Sequence, residues 1–295
     1  MLSLFYLLGE TMFCYYFTIA GLTIGIESPV SIVFQKCMKP FQNCENVKID
    51  LLYKISSKRV RTADTMISKG EYSVLKKENR YIRMKKMFHN GQVRETYLCS
   101  DQAGLYDLII PSEWIEETVL FEKENILDFL ALENGFLLNQ GFILHSSFVD
   151  WNGNGILFTA PSGTGKSTQA DLWKQYEGAD IYNGDRTVVR KISGVYHGFG
   201  SPYAGSSGIY RNESAPIRAI IVLSQGTENQ IQRLQGRQAF LSLFRETLMN
   251  TWDSAYMENM TDLLMDAATS IPIYHLACRP DQGAVELVRK TLFGK

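Results

Sequence analysis

The amino-acid sequence predicts an α/β fold, with a β-rich N-terminal region over residues 1–119 and a mixed domain of strands and helices over residues 120–295. Short apolar and aromatic runs separated by polar residues dominate the first region, which is typical of strands. Leucines at helical spacing begin near residue 120. Residues 156–168 then read as an apolar run, a glycine-containing turn and an amphipathic stretch, which is the order strand, loop, helix.

The composition is typical of a globular protein with a sizeable core: 45% of residues are apolar, 21% are charged and four are Trp. The net charge of −1 provides no basic surface, so neither nucleic acid nor a membrane is predicted as a partner. The five cysteines fit neither a disulfide framework nor a zinc site, which favours reduced thiols and a cytoplasmic location. Residues 1–26 are apolar, but they lack a basic start and Glu10 interrupts them, so no membrane segment is predicted.

Short runs rich in β-branched and aromatic residues predict the strands of the N-terminal region. They lie at Tyr16–Ile26, Ser31–Phe34, Lys48–Leu52, Tyr81–Phe88 and Gln92–Leu98. The tripeptide His89-Asn90-Gly91 between the last two predicts a hairpin.

The second region begins with a helix predicted over Glu113–Asn134 from its apolar spacing. A strand starts at Phe142, and Gly153-Asn154-Gly155 predicts a hairpin that leads into the next strand. The elements predicted beyond it are a helix at Gln169–Tyr176, strands at Ile181–Tyr182, Thr187–Lys191 and Ala219–Leu223, a loop rich in Gly and Ser at Gly198–Gly208, and two helices around Ile273–Leu276.

The turn that ends in Gly165-Lys166-Ser167 predicts a loop that binds the phosphates of a nucleotide. Successive backbone N–H groups can surround a phosphate, and the positive end of the following helix adds to the attraction. Lys166 would reach the β- and γ-phosphate oxygens, and the Ser167 hydroxyl would bind Mg²⁺. Ala160 stands where the first glycine of the pattern is expected, and the turn keeps its shape if φ is negative there. The predicted nucleotide-binding residues are Ser162, Gly163, Thr164, Gly165, Lys166, Ser167 and Thr168.

A Mg²⁺ ion bound with ATP needs a second, acidic ligand. Asp185 directly follows a short apolar strand and is the preferred candidate. Asp266 also follows an apolar run, but its Met and Ala surroundings predict a helix. The sequence therefore assigns Mg²⁺ to Ser167 and Asp185.

Two further side chains are candidates for catalysis. His145 lies on the strand before the loop, where an imidazole can orient an acceptor hydroxyl or take its proton; the alternative is a structural histidine. Arg211 follows the segment Gly198–Gly208 and is placed to meet a transferring phosphate. That segment predicts either a cover over a ligand or a long surface connection.

His145, Asp150, the hairpin, the loop and Asp185 together resemble the catalytic domain of HPr kinase/phosphorylase. The wider group includes ATP-dependent phosphoenolpyruvate carboxykinase and the HPr-kinase-like enzymes of lasso-peptide and related gene clusters. The resemblance covers about residues 140–225 and implies a phosphate-loop domain of mixed, strongly twisted β-structure with helices. It also implies that Lys166 contacts the phosphates, that Asp185 serves Mg²⁺ and that His145 lies in the active site.

Two positions depart from that family. Gly184 stands where the family has the first of two adjacent Asp residues, which is thought to be the general base, and Thr168 stands where HPr kinases commonly have Glu. Phosphoryl transfer depends mainly on positioning and charge, so it can survive the loss of a base, and His145 can serve instead.

The resemblance implies a kinase that uses ATP and Mg²⁺ and phosphorylates a serine-type hydroxyl on a peptide, a protein or a small molecule. One alternative is a catalytically degenerate nucleotide-binding module that acts as a switch or an accessory protein. A metabolite enzyme nearer the carboxykinases is another, although the additional basic and metal-binding residues of that branch are not located. The sequence does not decide between a monomer and a homo-oligomer.

Overall fold

The computed structural model describes residues 3–7, 10–43, 48–57, 65–68, 73–77, 80–89, 92–100, 104–110, 126–203 and 205–294. The chain divides into two compact units, Met1–Gly135 and Phe136–Lys295. The boundary that the sequence predicts between residues 119 and 120 lies outside the described residues and stays a prediction. Most of the helix predicted over Glu113–Asn134 lies outside the described residues, and its described end forms α1 (Leu127–Leu130) and the start of α2 (Leu132–Leu138).

The first unit contains a mixed sheet of ten strands in the order β1-β2-β3-β5-β10-β9-β8-β7-β6, with β4 paired to β2. The strands are β1 (Ser3–Leu7), β2 (Glu10–Ile19), β3 (Leu22–Ser28), β4 (Gln42–Asn43), β5 (Leu51–Ser56), β6 (Thr65–Ser68), β7 (Ser73–Lys77), β8 (Arg80–His89), β9 (Gln92–Ser100) and β10 (Leu105–Ile109). β5 pairs in parallel with both β3 and β10. The β-rich character predicted for this region is confirmed.

Three details of the first unit differ from the sequence prediction. Tyr16–Ile26 is a hairpin rather than one strand, because Ala20 and Gly21 adopt φ of 52° and 73° and reverse the chain. Ser31–Phe34 belongs to no strand. The ring of Phe34 packs on Tyr15 in a T-shaped contact with the ring centroids 4.9 Å apart. The strand predicted at Lys48–Leu52 begins later, at Leu51.

The hairpin predicted between β8 and β9 is confirmed by their antiparallel pairing, in which His89 is opposite Gln92. The two central residues of its turn, Asn90 and Gly91, lie outside the described residues.

The second unit is built on an eight-stranded mixed sheet in the order β12-β11-β14-β15-β16-β18-β17, with β13 paired to β11. The strands are β11 (Gly141–Trp151), β12 (Asn154–Thr159), β13 (Asp180–Asn183), β14 (Arg186–Ile192), β15 (Val195–Phe199), β16 (Ser214–Gln225), β17 (Gln230–Leu234) and β18 (Ile273–Cys278). β16 also pairs in parallel with β12, so β12, β11, β14, β15 and β16 form a closed ring.

Helices cover the two faces of this sheet. They are α3 (Lys166–Glu177), α4 (Gly236–Glu246), α5 (Ser254–Ser270) and α6 (Gln282–Phe293). Leu243 of α4 and Met260 of α5 belong to one buried cluster, whereas Trp173 of α3 and Val288 of α6 belong to another. The mixed α/β fold predicted for this part of the chain is confirmed, with α5 and α6 flanking β18, whereas β15, β17 and α4 were not predicted.

The strand β11 changes partners in the middle of its length. Its first half, up to His145, pairs with β14, and its second half, from Ser146, pairs with β12. His145 is opposite Arg186, and Ser146 is opposite Thr159. The end of β12 and the turn that precedes β14 therefore meet at His145.

No helix among the described parts of the chain combines the length and the apolar character that a membrane crossing requires.

Candidate active site around the loop between β12 and α3

The loop Ala160–Gly165 connects the buried end of β12 to α3, as the sequence predicts. Gly163 and Gly165 adopt φ of +79° and +117°, and a Cβ at either position would meet nothing within 4 Å. Backbone conformation, and not space, therefore favours glycine at these two positions. Ala160 is not among the residues with positive φ, so alanine can stand where the pattern has glycine and the turn keeps its shape.

Lys166 is the first residue of α3, and its side chain folds back over the loop. Its Nζ donates to the carbonyl oxygens of Ala160 at 2.8 Å and Pro161 at 3.4 Å. Burial lowers the pKa of the Lys166 ammonium, while the charges of Glu246 and Asp185 act in the opposite direction. The carboxylates of Glu246 and Asp185 therefore lie near the Lys166 ammonium.

The N-terminus of α3 fits an anion. The cap residue Gly165 has no side chain to accept from the first backbone N–H groups, and the first turn contains no acidic residue. Ser167 and Thr168 are exposed at this end of the helix. Unsatisfied N–H groups and the helix dipole attract negative charge, so this end of α3 suits a phosphate.

His145 lies between two carboxylates. Its Nε2 is 3.6 Å from Oδ1 of Asp185, and its Nδ1 is 3.3 Å from Oε2 of Glu246. The interaction with His145 is the main cause that holds the pKa of Asp185 below its ordinary value, and the charges of Arg186 and Lys166 add to it. Asp185 is therefore a carboxylate, the form that binds Mg²⁺.

Asn183 fixes the turn that presents Asp185, and sequence reasoning missed it. Its buried side chain accepts from the backbone N–H groups of Asp185 and Arg186, both at 2.8 Å. Its Nδ2 donates to the carbonyl oxygens of Ser201 at 2.9 Å and Tyr203 at 3.2 Å. The sequence Asn183-Gly184-Asp185 carries the signal for such an Asn-directed turn.

Glu246, the last residue of α4, was also missed. It is separated from His145 by a hundred residues of sequence, and no motif surrounds it. The backbone after it returns to the same strand as His145: Thr247 forms a bridge with Leu144, and the Leu248 N–H donates to Ile143 at 2.9 Å. Only this long-range pairing places Glu246 at the site.

Gly184 is packed against the segment that follows β15. A Cβ at Gly184 would lie 2.1 Å from Oγ and 2.5 Å from Cβ of Ser207. A Cβ at Gly205 would lie 2.6 Å from Cβ of Asp185, and Gly205 also has φ of +52°. The Gly205–Ser207 turn therefore fills the space that a carboxylate at position 184 would need. Ala204, within the Gly/Ser-rich segment, lies outside the described residues.

We expect Gly184→Ala to lower the free energy of unfolding by about 1–3 kcal/mol, the usual cost of inserting a methyl group into filled space. Urea unfolding measures the change. Ser207→Gly removes the obstructing atoms, so Gly184→Ala made in that background should lose much less stability. An unchanged unfolding midpoint for Gly184→Ala alone would contradict this packing.

Two other predicted residues lie apart from this cluster. Arg211 pairs with Asp180 at 2.9 Å, at the end of β13 opposite to Asp185. Asp266 lies on α5, as its surroundings predict, and accepts from Lys191 and Tyr196, each at 2.6 Å. The role of Arg211 at a transferring phosphate stays a prediction.

Ser167 and Asp185 offer a hydroxyl and a carboxylate, which are oxygen donors of the kind that Mg²⁺ takes. Among the described residues, no group of three or more His, Cys, Asp and Glu side chains is arranged to hold a metal. Mg²⁺ usually takes one or two protein ligands and completes its octahedron with phosphate oxygens and water. Ser167 and Asp185 match that smaller set.

Fold and site together define a mixed α/β protein with a glycine-containing loop between a buried strand and a helix. Residues 134–280 match the model of a family described as SynChlorMet cassette protein ScmC. Among solved structures, the Hpr(Ser) kinase/phosphatase from Coxiella burnetii is similar with a TM-score of 0.30 and 11% identity, over 52% of this chain and 93% of that chain. No curated protein matches the chain. The strand order and the helix layers define the fold class.

Proposed function

We propose that the chain is a kinase that uses ATP and Mg²⁺ to phosphorylate a hydroxyl group on a peptide, a protein or a small molecule. The observation that carries the proposal is the meeting of a loop lysine, a histidine and a carboxylate at the partner change of β11. Nε2 of His145 is 3.6 Å from Asp185, the carbonyl of His145 accepts from the Thr159 hydroxyl at 2.9 Å, and Nζ of Lys166 donates to the carbonyl of the next residue, Ala160, at 2.8 Å. The cation and the metal ligand stabilise the charge of a transferring phosphoryl group, and the histidine can orient the acceptor hydroxyl and take its proton.

Each residue has a defined task in this proposal. Backbone N–H groups from Ser162 to Thr168 hold the phosphates, and Lys166 neutralises charge on the γ-phosphoryl group. Ser167 and Asp185 would hold Mg²⁺, which supplies further neutralisation of the phosphate oxygens when bound. Nε2 of His145 takes the proton of the acceptor hydroxyl. The acceptor oxygen then bonds to the γ-phosphorus as the bond between that phosphorus and ADP breaks.

The structure supports His145 as the base because position 184 carries no carboxylate. The turn at Gly205–Ser207 fills that space, and Asp185, 3.6 Å from His145, is assigned to Mg²⁺ in this proposal. An imidazole is suited to proton transfer near neutral pH.

The proposal is tested with γ-labelled ATP and Mg²⁺ in an extract that contains candidate acceptors. We expect the wild-type protein to label one peptide, protein or metabolite, and we expect Asp185→Asn to need much more Mg²⁺ for the same labelling because a metal-binding carboxylate is lost. An Asp185→Asn variant that titrates with Mg²⁺ like the wild type would place the metal elsewhere. Nucleotide binding without any labelled product would favour the degenerate nucleotide-binding module instead.

A further inference from the structure

Glu246 is held in place by the strand that carries His145. The chain that leaves α4 pairs with β11 at Leu144 and Ile143, and Thr247 closes the helix end by donating its hydroxyl to the carbonyl of Leu243 at 2.7 Å. The Glu246 side chain is 13% exposed, against 33% for His145. Helix end and strand therefore fix the carboxylate and the imidazole relative to each other.

The two nitrogens of His145 face different partners. Nδ1 is 3.3 Å from Glu246, and Nε2 is 3.6 Å from Asp185. A neutral imidazole carries one N–H and one lone pair, so it can donate to only one of the two carboxylates. Which nitrogen keeps the proton decides whether His145 can act as a base toward the acceptor.

We infer that Glu246 is a positioning residue that holds the proton of His145 on Nδ1 and leaves the lone pair of Nε2 free for the acceptor hydroxyl. This inference rests on the proposed kinase function. Once Asp185 binds Mg²⁺, Glu246 is the remaining carboxylate partner of the imidazole, and Nδ1–H donates to it. The ring is then oriented with Nε2 on the side of Asp185, where the metal and the phosphates would lie.

Carboxylates that accept from a histidine N–H select the tautomer and orient the ring in many active sites. Here the carboxylate has a second effect, because its charge opposes the lowering of the Lys166 pKa by burial. Glu246 thus lies near both the proposed proton acceptor and the proposed phosphate-binding cation, while it touches neither the phosphates nor the acceptor in this mechanism.

The inference is tested by ¹⁵N NMR of histidine-labelled protein with Mg²⁺ and a non-hydrolysable ATP analogue. The chain has four histidines, and His145→Ala identifies the signal of interest. We expect the wild-type spectrum to show the proton on Nδ1. In Glu246→Gln the amide can donate to Nδ1, which moves the proton to Nε2, so we expect the Nδ1–H form to be lost or reduced.

Kinetics supply the second measurement. We expect Glu246→Gln to lower kcat by about 10- to 100-fold, as loss of an orienting partner usually does, with the nucleotide Kd changed by less than about 3-fold. Glu258→Gln is the matched control, because Glu258 is an exposed residue of α5, and it should behave like the wild type.

An unchanged tautomer in Glu246→Gln would overturn the inference, and so would a loss of Mg²⁺ affinity, which would make Glu246 a metal ligand. The NMR arm needs no turnover. If the wild-type protein transfers no phosphate, the proposed function fails, whereas the tautomer still reports on Glu246.

Discussion

Replacement of Lys166 by alanine is expected to lower turnover by about 10²- to 10³-fold and to weaken nucleotide binding. In the proposed function the Lys166 ammonium neutralises charge on the γ-phosphoryl group, and loss of one such electrostatic group costs about this much. Lys166 is 7% exposed, and its Nζ donates to two loop carbonyls. Turnover with labelled ATP and calorimetric titration of the nucleotide measure the two effects.

Lys174→Ala is the matched control, because Lys174 is exposed on the last turn of the same helix. Thermal unfolding of both variants separates a loss of chemistry from a loss of structure, since Lys166 also satisfies the carbonyl of Ala160. Unchanged nucleotide affinity and turnover in Lys166→Ala would contradict the proposal that this loop binds the nucleotide phosphates.

Replacement of His145 by alanine is expected to lower kcat by about 10²-fold or more, while the nucleotide Kd changes by less than about 3-fold. General-base catalysis contributes 10²- to 10⁴-fold, and in the proposed function the imidazole acts on the acceptor hydroxyl while the loop and α3 hold the phosphates. Single-turnover kinetics measure the loss in the transfer rate, and nucleotide titration measures the Kd. His197→Ala on β15 is a suitable control, because His197 is a half-buried strand histidine like His145.

Equal losses in affinity and turnover for His145→Ala, or no loss in either, would assign the histidine a structural role. Its carbonyl accepts from the Thr159 hydroxyl at 2.9 Å, but that contact is made by the backbone and survives the substitution. The variant therefore removes the imidazole alone and leaves the end of β12 anchored.

The local parts of this site could be predicted from the sequence. In the loop between Thr159 and Lys166, glycine stands at the two positions where the backbone adopts positive φ, Gly163 and Gly165. Asp185 follows a strand that is apolar enough to be recognised. The hairpin predicted before the loop is present, but its turn lies at Asn152 and Gly153, with φ of 54° and 75°, and not at Gly153-Asn154-Gly155, because Asn154 and Gly155 already belong to β12. Such features are encoded within a few neighbouring residues.

The remaining parts depend on contacts between distant segments. Glu246 reaches His145 only because the chain after α4 pairs with β11, and no local pattern signals that pairing. Asn183 carries a turn signal, but its link to Ser201 and Tyr203 requires the folded loop. The packing of Ser207 on Gly184 likewise brings together segments that only tertiary structure defines. The sequence therefore predicts the loop better than its surroundings.

The change of partner within β11 has a consequence for how the protein acquires its site during folding. His145 meets Asp185 only after β11 has paired with β14, and it lies beside the phosphate loop only after β11 has paired with β12. Glu246 arrives only when the chain beyond α4 has closed on the same strand. Contacts between distant segments form slowly and cooperatively. A growing or partly unfolded chain thus carries the loop without its histidine and carboxylates correctly arranged, so the proposed phosphoryl transfer would require complete folding.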